Sequence, residues 1–142
     1  MKRGDSAPDF ELPDETGTKR KLSDLLADGP VVLFFYPAAM TYGCTKESCH
    51  FRDLKSEFEA VGAQRVGISA DSVDKQHQFS EKHSFDYPLL SDEDRTVAEA
   101  FGVKRVVSKL SDTVHTLNLV VLGTHHKGAT GTWVTVDRFQ VT

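Results

Sequence analysis

Cys44 and Cys49 are the two cysteines of this 142-residue chain, and they stand five residues apart in the stretch PAAMTYGCTKESC, Pro37 to Cys49. The stretch follows an apolar run and opens a helical pattern. A thiol in the first turn of a helix meets unpaired backbone N–H groups and the positive end of the helix dipole. Both favour thiolate over thiol, and thiolate is the nucleophile of redox chemistry. Thr41, three residues before Cys44, can offer a hydroxyl to the same place, while Pro37 ends the preceding strand and narrows the approach. The arrangement reads as a reactive cysteine, with its substrate left open.

Cys49 adds a second thiol. In an ideal helix five residues turn the side chain by about 140° and advance it about 7.5 Å. The two Cα atoms then lie roughly 8–9 Å apart, beyond the ~7 Å that a disulfide can bridge. A bond between them requires the first helical turns to unwind, so a redox change would also be a conformational one. Cys44 falls near the stripe that includes Phe51, and Cys49 nearly opposite it, toward solvent. Competing uses are weaker. A cysteine is often a small buried hydrophobe, which suits Cys49 better than Cys44. Two cysteines cannot close a tetrahedral zinc site, and the six histidines supply no CxxC or HxxxH spacing. No metal is expected.

These thiols need elements to hold them. FELPDETGTKRKL, Phe10 to Leu22, predicts a hairpin turning at Asp14-Glu15-Thr16-Gly17. Ser23 can cap a short helix to Ala27, closed by Gly29-Pro30. VVLFFY, Val31 to Tyr36, shows no polar alternation, as a strand covered on both faces requires. Phe51, Leu54, Phe58 and Val61 recur at helical steps and predict one helix stopped at Gly62. RVGIS, Arg65 to Ser69, reads as a second buried strand. Asp71 or Asp74 can cap a helix to His83, Tyr87 to Leu90 is a short extended piece, and Asp92 to Phe101 is a further helix. Alternating strands and helices predict an α/β domain with helices packed on a central sheet, a single domain over residues 1–142.

Net charge is −4. A chain with that balance and no basic face has no general electrostatic grip on nucleic acid or on an acidic membrane. The longest apolar run is far too short to span a bilayer, and MKRGDSAPDFEL has no apolar leader core. The cytoplasm is the expected location, where thiols stay reduced and a cysteine pair serves catalysis or sensing rather than a structural crosslink.

The set Pro37, Thr41, Cys44 fits the Pro-x-x-x-Thr-x-x-Cys motif, and the chain resembles the peroxiredoxins. Cys49, five residues on, resembles the Q-type subgroup, also called bacterioferritin-comigratory proteins. GDSAPDFELPDETGTKRKLSDL, VVLFFYPAAMTYGCTKESCHFRDL, RVGISADSVDKQHQF and YPLLSDEDRTVAEAFGVKR extend the resemblance over residues 3–105. It implies a thioredoxin-like fold, a central mixed β-sheet flanked by helices. Cys44 would attack hydrogen peroxide or an organic hydroperoxide and become a sulfenic acid. Cys49 would condense with it to a disulfide before irreversible oxidation. Thioredoxin or a similar dithiol would reduce that disulfide. Thr41 would hydrogen-bond the peroxide and Pro37 would shield the thiolate. The resemblance also implies no metal or organic cofactor, and a monomer.

The chain departs from the family pattern in three places. Tyr42 stands where the subgroup commonly has a second proline. The family's strand arginine, which stabilises the thiolate, has no counterpart near His115-Thr116; Arg105 and Arg138 lie in the wrong context, and a neutral His115 is a poor replacement. Beyond Arg105 the chain is depleted of acid, with Asp112 and Asp137 alone of 21 acidic residues, and the usual C-terminal helix is missing. Instead TLNLVVL, Thr116 to Leu122, and GTWVTV, Gly131 to Val136, predict strands. His125-His126 reads as a surface turn and Trp133 as a core or edge aromatic. Residues 106–142 are thus an atypical tail, and the alternative function is a redox-sensing or binding module with little peroxidase turnover.

Overall fold

The apolar run after Pro30 becomes β3 only because both of its faces are covered. The computed structural model describes residues 5–103 and the backbone of residues 119–122. In chain order the elements are β1 Glu11–Pro13, β2 Lys19–Lys21, α1 Leu22–Ala27, β3 Val31–Phe35, α2 Tyr42–Asp53, α3 Lys55–Ala60, β4 Gln64–Ser69, α4 Val73–His83, β5 Leu89–Ser91, α5 Thr96–Ala100 and β6 Leu119–Leu122. One sheet runs β5-β4-β3-β6. Strands β3, β4 and β5 are parallel, with Phe34 beside Gly67 and Ile68 beside Leu90, while β6 closes antiparallel on β3. This is the α/β sheet that the pattern predicts, mixed as the resemblance implies.

The period of two along β3 sorts the core. Val31, Leu33 and Phe35 point to one face and pack with Leu22, Leu25, Val66, Ile68 and Phe101. Val32, Phe34 and Tyr36 point to the other and pack with Phe51, Phe79, Leu89 and the Cys44 side chain. The reactive thiol candidate is therefore built into the second core layer. Phe34 lies flat on Phe51, with ring centroids 4.3 Å apart and planes 12° from parallel. Gly67 on β4 makes room for it, because a Cβ there would sit 2.9 Å from the Phe34 ring.

The predicted hairpin forms, as β1 and β2. Its buried Asp14 takes the Thr16 and Thr18 amides at 2.9 and 3.0 Å and the Arg20 Nε–H at 2.8 Å. Three local expectations are corrected. Helix α1 starts two residues earlier, with Lys21 at its N-cap, and the Ser23 amide donates to Asp9 instead. Helix α4 is capped by Ser72, whose Oγ accepts from the Lys75 amide, rather than by Asp71 or Asp74. The Phe51-to-Val61 helix is two helices that meet at Leu54, and Val61 is 71% exposed.

That break has a visible cause. Arg65 on β4, 7% exposed, donates from Nη1 to the Phe51 carbonyl at 2.7 Å and the Arg52 carbonyl at 3.3 Å. Its Nη2 donates to Asp86 at 2.9 Å. A buried guanidinium thus takes carbonyls that end α2, and α3 begins after Leu54. The strands of GTWVTV, the missing C-terminal helix, Trp133, His115, His125-His126, Arg105 and Arg138 lie outside the described residues.

Replacing Arg65 with Met removes the cap and leaves Asp86, among the described residues, with Lys55 alone as an ion-pair partner, 3.3 Å away. Loss of one partner of a buried charged network is expected to destabilise the fold by about 3 kcal/mol. Urea denaturation measures it, and an unchanged midpoint would contradict the assignment.

Candidate active site

The path from β3 to the helix that carries the thiol is six residues long, and its backbone is held from the end of β4. Asp71 accepts the Ala39 amide at 2.6 Å and the Ser69 hydroxyl at 2.8 Å through Oδ2, and pairs with Lys75 at 2.7 Å through Oδ1. The loop so held carries Met40 at φ 67°, a left-handed conformation that is uncommon for a residue with a side chain. Thr41 follows in extended conformation as the N-cap of α2. Cys44 is then the third residue of the helix, in its first turn, as the spacing predicts.

Tyr42 occupies the first helical position. Proline suits that position because its missing N–H has no helical acceptor to lose. A tyrosine is accommodated there with its ring in solvent, 78% exposed, under the Lys46 ammonium 6.0 Å from the ring centroid. The departure from the proline pattern leaves the helix start intact.

Cys44 is 6% exposed, and both cysteines are free thiols. The Thr41 hydroxyl, at the N-cap three residues before Cys44, donates to the Ala38 carbonyl at 2.9 Å. Pro37 is exposed at the start of the loop. The expectation of a lowered thiol pKa is corrected here. Burial pushes the Cys44 thiol up, and the hydrogen bonds from Thr41 and the Ala38 backbone pull it only part of the way back. The carboxylates of Glu47 and Asp71 raise it further. Desolvation in the Phe34–Phe51 layer outweighs the helix start.

Glu47 escaped the sequence reading, although three residues after Cys44 on one helix is the spacing of neighbours. Burial raises its carboxyl from 4.5 to about 7, and its Oε1 is buried with no hydrogen-bond partner among the described residues. Asp71 escaped as well, being read as a helix cap. Its signal is a carboxylate two residues past the carboxyl end of β4, where α/β folds gather their sites.

Behind the thiol, buried polar groups fix the layer. The Tyr36 hydroxyl donates to Gln76 Oε1, and the Gln76 amide donates to Ser69 Oγ and the Leu90 carbonyl, each at 2.9 Å. The Tyr87 hydroxyl donates to the Ser48 carbonyl at 2.7 Å, in the middle of α2. Cys49 is half-buried, on α2 beside a groove that also touches α4. With both cysteines inside one regular helix, the separation of roughly 8–9 Å that helix geometry sets holds for this state.

Glu47 generates a pH prediction. A carboxyl whose folded pKa stands above its unfolded value binds its proton more tightly when folded. It therefore weakens the fold as pH rises from 4.5 toward about 7, and the penalty is constant above that. Glu47→Gln is expected to match the parent near pH 4.5 and to exceed it by about 1–3 kcal/mol near pH ~8. Urea denaturation at the two pH values checks this; a difference independent of pH would contradict it.

Comparison with known proteins follows the same residues. The sequence pattern of the AhpC/TSA family matches residues 3–127. A Mycobacterium tuberculosis relative with a provisional peroxiredoxin name is 70% identical over 105 residues, 74% of this chain and 68% of its own. Peroxiredoxin Bcp of Escherichia coli K12 is 40% identical over 124 residues, 85% of this chain and 79% of its own. Among solved structures, peroxidoxin BcpB from Mycobacterium tuberculosis superposes with a TM-score of 0.74 at 56% identity, covering 97% of this chain and 81% of its own. A cysteine-to-serine mutant of Xylella fastidiosa PrxQ gives 0.78 at 29% identity, covering 100% and 89%. No described helix is long and apolar enough to cross a membrane. With the thioredoxin-like sheet and the thiol-bearing helix in place, the chain belongs to the AhpC/TSA family as a peroxiredoxin of the Bcp or Q type, a thiol peroxidase.

Proposed function

We propose that the chain reduces hydrogen peroxide and organic hydroperoxides through Cys44, with Cys49 as the resolving thiol. The observation that carries this reading is the placement of Cys44 in the first turn of α2 under the Thr41 hydroxyl, with Cys49 five residues along the same helix. The Cys44 thiolate attacks one peroxide oxygen, the O–O bond breaks, and alcohol or water leaves with a proton. Cys44 is then a sulfenic acid. Cys49 attacks that sulfur, a second water leaves, and the Cys44–Cys49 disulfide remains. Thioredoxin or a similar dithiol supplies the two electrons that restore both thiols.

Within this reading Thr41 orients the peroxide and Pro37 borders its approach. One chain suffices, because both cysteines lie on one helix, so a monomer in the cytoplasm is the proposed acting form. The raised Cys44 thiol favours a second reading, a redox sensor with slow turnover whose α2 changes conformation on oxidation.

Stoichiometric hydrogen peroxide and mass spectrometry separate the two. Loss of two hydrogens' mass, abolished in Cys44→Ser and in Cys49→Ser, is expected, at a rate that climbs with pH as the raised thiol ionises. Thr41→Val is expected to slow it about tenfold or more, as loss of an orienting hydrogen bond does. Absence of oxidation in folded protein would overturn the peroxidase reading. Rapid oxidation with slow dithiol-driven turnover would favour the sensor.

A further inference from the structure

The peptide that joins Ala38 to Ala39 is held at both of its polar ends. Its N–H donates to Asp71 Oδ2 at 2.6 Å, and its carbonyl accepts the Thr41 hydroxyl at 2.9 Å. One planar unit thus lies between a carboxylate just past β4 and the side chain at the N-cap of α2. Asp71 is itself held in place. The Ser69 hydroxyl donates to the same oxygen at 2.8 Å, and Lys75 pairs with Oδ1 at 2.7 Å. Gln76, fully buried, donates to Ser69 Oγ at 2.9 Å and accepts the Tyr36 hydroxyl, which ties the carboxylate to the end of β3.

We propose that Asp71 is a positioning residue for peroxide reduction, acting on Thr41 through the 38–39 peptide. The inference rests on the reading above in which Thr41 orients the peroxide. A carboxylate on the N–H polarises the amide and strengthens the bond that its carbonyl accepts. Ala39 is 2% exposed, so its amide depends on this acceptor. Rotation of the peptide would release the Thr41 hydroxyl. The next residue, Met40 at φ 67°, holds a conformation that persists only where its surroundings impose it.

Charge does not account for a carboxylate in this place. The Asp71 charge pushes the Cys44 thiol up, against ionisation, and Lys75 offsets only part of it. What Asp71 contributes is therefore the direction of a peptide.

A double-mutant cycle separates this role from a merely structural one. In a Cys49→Ser background Cys44 is the sole thiol, and dimedone-trapped sulfenic acid reads its rate with hydrogen peroxide. Asp71→Ala is expected to slow that rate about tenfold or more, as misplacement of an orienting group does. Asp71→Asn, which keeps an acceptor without the charge, is expected to stay within about threefold of the parent. In Thr41→Val the further loss from Asp71→Ala is expected to shrink to about twofold or less, because both act through one peptide. Iodoacetamide needs the thiolate but no oriented peroxide, and its rate with Cys44 is expected to change about threefold at most. If Asp71→Ala does not fold, Asp71→Glu, which displaces the carboxylate by a methylene, carries the same cycle. A full, multiplicative loss in Thr41→Val, or equal slowing toward both reagents, would overturn the proposal. Sulfenic acid formation with multiplicative losses sinks this inference alone. No sulfenic acid in the folded Cys49→Ser protein sinks the peroxidase reading and this inference with it.

Discussion

Two side chains from the sheet layer hold the carbonyls of α2, and the behaviour of the thiols depends on where they hold it. Tyr87 takes the Ser48 carbonyl, and Arg65 takes those of Phe51 and Arg52. Both anchors act on the second half of the helix. The first half, which carries Cys44, is seated by the packing of the Cys44 and Phe51 layer and by the loop that Asp71 pins at Ala39. One helix thus has a clamped end and an end held by a loop. A disulfide five residues along a helix demands that one end yield, and the anchors decide which.

The same packing that positions Cys44 opposes its ionisation. A thiol placed among Phe34, Phe51 and Phe79 loses the water that would solvate its thiolate. Thr41 and the Ala38 backbone return part of that loss. Glu47 compounds it, because a buried carboxylate one turn away repels a thiolate, while its protonated form does not. Burial pushes the Glu47 carboxyl up to about 7, so the charge that opposes the thiolate grows as pH rises through neutrality. Ionising either one hinders the other.

Much of this was legible in the sequence where period and punctuation were strong. The unalternating Val31-to-Tyr36 run, the Asp14–Gly17 turn and the Cys44 helix start each follow from local chemistry, and the Pro37-Thr41-Cys44 spacing is what the proposed function starts from. What the sequence hid is tertiary. Nothing local distinguishes the helix stop at Leu54 from a continuing stripe, since the cap is Arg65, eleven positions on and in another element. Asp71 was visible as an acidic residue after a strand, but its acceptance of the Ala39 amide joins residues 32 apart. The direction of the Cys44 shift depends on how deep the sheet layer buries it, and periodicity does not report depth.

The account's central claim is that oxidation unwinds the start of α2 while its end stays clamped. Amide hydrogen exchange of the reduced and peroxide-oxidised protein, resolved along α2, tests it most directly. The account predicts that oxidation strips protection from the amides around Thr45 to Ser48 and leaves those near Arg52 and Asp53 as slow as before. Unchanged protection at Thr45 to Ser48 in a protein carrying the Cys44–Cys49 disulfide, or loss over the whole helix, would contradict it.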